Sequence, residues 1–511
     1  MIFDKSALNT EVFMGGIMAG KRSRLKKRIK LLEHRLSQLL SIENGCKKDI
    51  PKNSDRYLVR EISRSRFNAF AAYCRDPRTL FMAAEVRWYQ VESEKIVAAV
   101  IQDFEDGNFH GIVFAPDERD RFRWINATDW YGSIDEACEN LKSLIIKLLP
   151  KIEDERKQGD SSKRAVDFFT PLSNAKKPLH PFFKRLAYED GHSPARSIIE
   201  LMMRWHEDVD GNFVEQFQTD GFDARTWELY LFAAFTEGGY IIDPRSKVPD
   251  FICQGVEGEF CIEATTVNPS LDKKGNIVPP PSSSNEKEMK DILNNYVPIK
   301  FAGPLTTKLG KKYWNDPNVT GKPFLLAIQD FHAPLSMTYS REALVTYLYG
   351  YKHRAERDKD NNLQIVPISV KNHQWGSKVI DSGFFKLKNS ENISAVIFNA
   401  SATISKFNRM GVMNGFGSNR VRLVREGLVT DLDSNASKPL PFRQKVNSPT
   451  YKESWMEGMD VFHNPLAKHP LDQALLPNAA HHRLLEDGQI ESTIPVWHPV
   501  SSLTSIFIVG D

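Results

Sequence analysis

The chain has 511 residues, more than one hydrophobic core usually serves, so two or three domains are expected. Hydrophobic residues at 41% and charged residues at 26% are ordinary globular values and exclude a wholly disordered chain, while 68 basic against 65 acidic side chains leave only +3, so any surface for an anionic partner must be local. Five cysteines (Cys46, Cys74, Cys138, Cys253, Cys261) with no CxxC pair argue against a zinc ribbon or disulfide framework. Together with the lack of any apolar run near twenty residues, they lead to the expectation of a cytoplasmic protein with no membrane role.

In chain order, KRSRLKKRIKLLEHRLSQLL places Leu25, Ile29, Leu32, Leu36 and Leu39 near helical spacing between basic residues. Residues 1–54 are therefore expected to be a basic amphipathic helix and its linker. Over 55–150 the pattern becomes short strands (MAAEVRWYQV, KIVAAVIQDF, GIVFAP) followed by a helix from Ile134 to Leu149, which reads as a small α/β domain. Its turn residues Asp103, Asp106, Asp117, Arg121 and Arg123 are candidates to line a site, although turn residues of this kind are mostly solvated. Residues 151–180, opening with the charged run KIEDERKQGD, read as a linker.

The informative stretch starts near His192. SPARSIIELMMRWHEDV and FDARTWELYLFAAFTEGG have the starts and glycine ends of capped helices. VPDFICQ and EFCIEATTV then read as strands, followed by a Pro/Ser/Asn break, a helix through LTTKLGKKYW and the apolar strand PFLLAIQDF. Helix, strand, strand, helix, strand is the predicted order. Asp250 starts one strand and Glu263 ends the next, so a hairpin would bring both carboxylates to one edge, with Glu228 on the preceding helix as a third. Two or three carboxylates suit a hard divalent cation such as Mg2+ or Mn2+ and leave positions for phosphate and water.

This arrangement resembles the PD-(D/E)xK (restriction-endonuclease-like) nuclease superfamily over roughly residues 220–331. Pro249 and Asp250 match the first half of the motif, Glu263 matches its acidic residue, and Glu228 matches the helical Glu. Thr265 stands where the usual lysine would be. In some members that lysine comes from the following helix, where this chain has Lys308 and Lys312 on one predicted face. The resemblance implies an α/β, multi-domain protein: a central restriction-endonuclease-like mixed sheet flanked by helices (181–400), the small N-terminal α/β domain, and a turn-rich extension (401–511) packing on the core. It implies metal-dependent hydrolysis of phosphodiesters, DNA ahead of RNA, in bacterial defence or DNA repair. Asp250, Glu263 and Glu228 would hold Mg2+ (or Mn2+), with Lys308 or Lys312 as the catalytic cation. The polar residues at 208–228 suggest Gln216, Gln218 and Arg225 as substrate contacts, with Thr265 bordering the same site. A homo-oligomer or a protein partner is compatible with this reading.

After Phe331, LQIVPISV and ISAVIFN are expected to extend the central sheet. The tail carries His463, His469, His481 and His482 at spacings that fit no compact metal motif. HNPLAKHP and the segment from Lys406 to Arg409 are expected to pack against the cleft and contact nucleic acid. Two further readings stay open: a nucleic-acid- or protein-binding module on a nuclease-like fold that no longer cuts, supported by Thr265, and an unrelated metal hydrolase using the tail histidines.

Overall fold

A computed structural model describes residues 59–510 apart from 92–93, 160–165, 174–176, 207–210 and 244–247. The basic helix expected at 21–45 lies outside the described residues. The protein is mixed α/β. Its first sheet is an antiparallel meander of β1 (Val59–Glu61), β2 (Ala83–Val91), β3 (Val97–Asp103), β4 (Phe109–Pro116) and β5 (Phe122–Tyr131), paired in sequence order. Alternation along β3 sends Ala98 and Val100 to one face and Val97 and Ala99 to the other. Helix α1 (Arg64–Ala71) lies on the second of these faces. The first face is covered by α2 (Ile134–Leu148), whose start is set by Ser133: its hydroxyl accepts from the Glu136 amide at 3.2 Å.

Further helices and the strands of the central sheet follow, and four of these helices pack on the sheet. The helices are α3 (Ser193–Met203), α4 (Phe222–Glu237), α5 (Val297–Lys311) and α6 (Arg341–Tyr349). The sheet has eight strands: β6 (Ile241–Ile242), β7 (Phe251–Gly255), β8 (Gly258–Val267), β9 (Phe324–Asp330), β10 (Ala395–Asn399), β11 (Met459–His463), β12 (Ala480–Leu484) and β13 (Ile490–Thr493). Their spatial order is β13-β12-β11-β10-β9-β8-β7-β6, with β8 parallel to β9 and antiparallel to β7. Both faces are apolar, as buried central strands require. One face carries Ile262, Ala264, Leu325 and Ala327 against α3 and α4, and the other carries Cys261, Leu326 and Ile328 against α5 and α6. Trp227 fixes α4 to the sheet by donating its indole N–H to the Ala327 carbonyl at 3.2 Å.

Two expectations for the C-terminal part need correction. ISAVIFN joins the sheet as β10, but LQIVPISV does not: Leu363–Ser369 pairs with Tyr351–Arg357 in a separate hairpin. The tail expected to be turn-rich supplies β11, β12 and β13 to the central sheet, and the strands Val421–Val429, Leu440–Lys445 and Pro499–Ile508 form a three-stranded sheet of their own. Helix α7 (Ile404–Met413) packs across α3 and joins the same core as α1 and β3, so the described residues fall in one compact unit.

Candidate active site

β7 and β8 pair only as far as Phe251 opposite Ile262. Asp250 lies one residue before that pairing begins and Glu263 one residue past it, so both carboxylates stand at the fork where the two strands part. Glu263 is directed to the α5 face, because its neighbours Ile262 and Ala264 pack on the opposite one. Asp250 Oδ2 accepts the Ala264 amide at 2.7 Å, which ties the loop before β7 to β8.

Lys308 of α5 forms an ion pair with Glu263 Oε1, and the Tyr313 hydroxyl donates to the same oxygen at 2.6 Å. Of the two lysines named as candidates, the fold brings Lys308 to the carboxylate. Lys312 is a correction: the helix stops at Lys311, and Lys312 is exposed in the left-handed conformation (φ 56°), off the helical face it was expected to share. Thr265 is half-buried on the Glu263 side of β8, where its short side chain leaves the position of positive charge to Lys308.

Glu228 reaches the fork from α4 and pairs with Arg225, whose Nε and Nη2 donate to Gln216 Oε1 at 2.9 and 2.6 Å. Gln216 and Arg225 therefore act on Glu228 in this structure, as a chain that orients it. Gln218 is a correction. Its amide is fully buried, taking the Leu172 N–H at 3.0 Å and donating to the carbonyls of Phe168 (3.0 Å) and Thr170 (2.9 Å), so it fastens the 168–172 segment and has no surface for a substrate.

The ionisable groups at the fork perturb one another. Burial, then the neighbouring Glu263 and Glu228, push Asp250 up to about 8. Burial also raises Glu228, against the pull of Arg225 and Lys308. Burial and the hydrogen bond to Glu263 keep the Tyr313 hydroxyl protonated. Three carboxylates thus share this space with two cations, and burial favours the protonated form of both Asp250 and Glu228. Hard oxygen donors of this kind fit Mg2+ or Mn2+. As the side chains stand, with Glu263 turned to Lys308 and Tyr313, no group of three His, Cys, Asp or Glu among the described residues converges on one point.

Tyr313 escaped the sequence reading. It lies five residues beyond Lys308, after the helix ends, and no helical or strand period links it to Glu263. Lys406 and Arg409, expected at the cleft, and the buried histidines of the tail are engaged elsewhere. Lys406 and Arg409 are buried against Glu453 at 2.9 and 2.8 Å. His463 and His481 bond each other at 2.8 Å, and His482 and His498 meet Asp460 Oδ1, with Arg341 donating to both Asp460 oxygens. No family model, no curated protein and no solved structure matches this chain.

A cavity of about 310 Å³ includes Asp250 and Phe251 in its lining. A second, of about 360 Å³, lies farther along α5 and is lined by Tyr296, Lys300, Trp375 and Lys378. No helix among the described residues is long and apolar enough to cross a membrane.

Proposed function

We propose that the protein is a metal-dependent nuclease that hydrolyses phosphodiester bonds, DNA ahead of RNA, with its site at the β7–β8 fork. The observation that carries this reading is Lys308. A lysine from the helix after β8 meets the Glu263 carboxylate where the strand itself offers only Thr265, with Asp250 and Glu228 close enough to perturb one another. The order of elements around the fork, helix α4, three strands, helix α5 and the parallel strand β9, supports the resemblance to the PD-(D/E)xK superfamily.

Asp250 and Glu263 would hold Mg2+ or Mn2+ with Glu228 assisting, and the bound ion would supply Lewis acidity and an activated water. The chain's own groups divide the remaining work. Lys308 places a fixed positive charge beside Glu263, where negative charge on a phosphate would grow. Tyr313 orients Glu263 by its hydrogen bond, and Arg225 with Gln216 holds Glu228 toward the fork. A bacterial defence or repair role rests on the resemblance alone.

One observation favours a second reading, a binding module that no longer cuts: Lys308 and Tyr313 both engage Glu263 Oε1, which commits that oxygen to the protein's own groups. The test is cleavage of linear, circular and single-stranded DNA and of RNA with Mg2+ or Mn2+, by wild type and by folded Asp250→Ala and Glu263→Ala variants. Cutting that vanishes in both variants supports the nuclease. Nucleic-acid binding without cutting supports the second reading, and cutting that survives both substitutions removes the site from the fork.

A further inference from the structure

The cavity lined in part by Asp250 is built by two parts of the chain far apart in sequence. Tyr73, Arg75 and Arg121 come from the region of the first sheet, whereas Trp205 and His206 follow the end of α3 and Phe232 lies on α4. Its walls are largely flat rings: Tyr73 stacks on Phe232 (centroids 5.4 Å apart, planes 12° apart) and lies beside Trp205 (6.3 Å, 22°). The Arg121 guanidinium stands 5.4 Å from the Trp205 ring centre and is held by Asp117 at 2.7 Å. Arg75 is likewise fixed, by Glu85 at 2.7 Å. Both cations are thus positioned in advance.

Aromatic walls recognise a flat π-system, and oriented guanidinium groups recognise phosphate and stack on rings. A nucleotide combines both features. A volume of about 310 Å³ is at the lower end for small-molecule sites, roughly 300–1,000 Å³, and admits one nucleotide but no base-paired duplex. Because Asp250 is among the residues that line the cavity, a base lodged there lies beside the fork, within reach of a strand whose phosphate occupies it.

We propose that this cavity holds one unpaired nucleotide of the substrate strand, stacked on Trp205 and its aromatic neighbours, so that the protein acts on single-stranded, frayed or flipped-out positions. The inference rests on the nuclease reading for the place of the phosphate, and its test is separate from cutting. A single-stranded oligonucleotide carrying 2-aminopurine is titrated with the full chain in EDTA, where no divalent ion supports cleavage, and fluorescence quenching reports stacking.

The wild type is expected to quench the probe. Trp205→Ala is expected to bind about tenfold more weakly with the quench largely lost, and Trp205→Phe, which keeps a ring, to retain both. Equal binding and quenching by wild type and a folded Trp205→Ala variant overturns the proposal. A free mononucleotide that binds as tightly as the strand, with the oligonucleotide left unquenched, also overturns it in favour of a small-nucleotide site. Trp205-dependent quenching by a protein that cuts nothing keeps this site and removes the nuclease, whereas cutting without quenching does the reverse.

Discussion

At the residue scale, the balance of charge at the fork decides what the site can do. Lys308 touches Glu263 and Lys312 does not, so Lys308→Met is expected to lower the cleavage rate by about 10²–10³-fold, the loss typical of removing one preorganised charge, while Lys312→Met stays near wild type. Single-turnover rates at saturating metal would check this. Asp250 gives a prediction in pH. Its folded-state value of about 8 lies above the ordinary carboxylate range, so the fold favours the protonated form. The stability this contributes is complete below the ordinary value and is lost as pH rises through about 8. Thermal melts without divalent ions should therefore fall as pH rises from the ordinary carboxylate value, 3.8, up to about 8 and level off above it, and Asp250→Asn should flatten that fall. Divalent binding should strengthen over the same interval, with proton release measurable by calorimetry in buffers of different ionisation enthalpy.

At the element scale, the contact of α7 with α3 turns on one glycine. A Cβ on Gly411 would sit 2.3 Å from the Pro194 carbonyl oxygen, a backbone atom that cannot move aside cheaply. Asn408, one turn earlier, ties the same crossing by accepting the Ala195 amide at 3.1 Å and donating to the Gly191 carbonyl at 2.8 Å. Helix propensity favours Ala over Gly by about 1 kcal/mol, but overpacking costs about 1–3 kcal/mol and the clash here is with backbone, so Gly411→Ala should be net destabilising. Gly303 in α5 is the control. Nothing lies within 4 Å of its added Cβ, so Gly303→Ala should be neutral or stabilising by up to about 1 kcal/mol, as read by chemical denaturation.

At the scale of the whole molecule, a buried charge cluster joins the C-terminal segments to the core. Glu453 takes Arg409 on both oxygens at 2.8 and 2.9 Å and Lys406 at 2.9 Å, with Arg425 at 3.6 Å, and all four side chains are essentially inaccessible. Against the upward push of burial, Arg409, Arg425 and Lys406 hold Glu453 well below the usual carboxylate range. Glu453→Gln should cost about 3–5 kcal/mol, because it strands buried cations, and urea unfolding at neutral pH would measure it. The expectation that Lys406 and Arg409 meet nucleic acid failed for this reason. A cationic segment reads alike whether its partner is a phosphate or a distant carboxylate, and Glu453 lies more than forty positions away in sequence.

The sequence alone was enough for whatever depends on near neighbours and period. Strand-like segments joined by a glycine-containing turn marked β7 and β8, a glycine stop marked the end of α4 whereas α3 ends at Met203 without one, and the resemblance, with Lys308 and Lys312 four apart on the following helix, narrowed the cation to two residues. Tertiary structure decided everything that required knowing where a helix ends or which strand lies beside which. It chose Lys308 over Lys312, because the backbone turns left-handed at the latter, and it added Tyr313. It turned Gln218 into a buried clamp, and it drew β11, β12 and β13 into the central sheet. Pairing between distant segments is settled by burial of both sheet faces together, a property of the assembled core that no local window of residues carries.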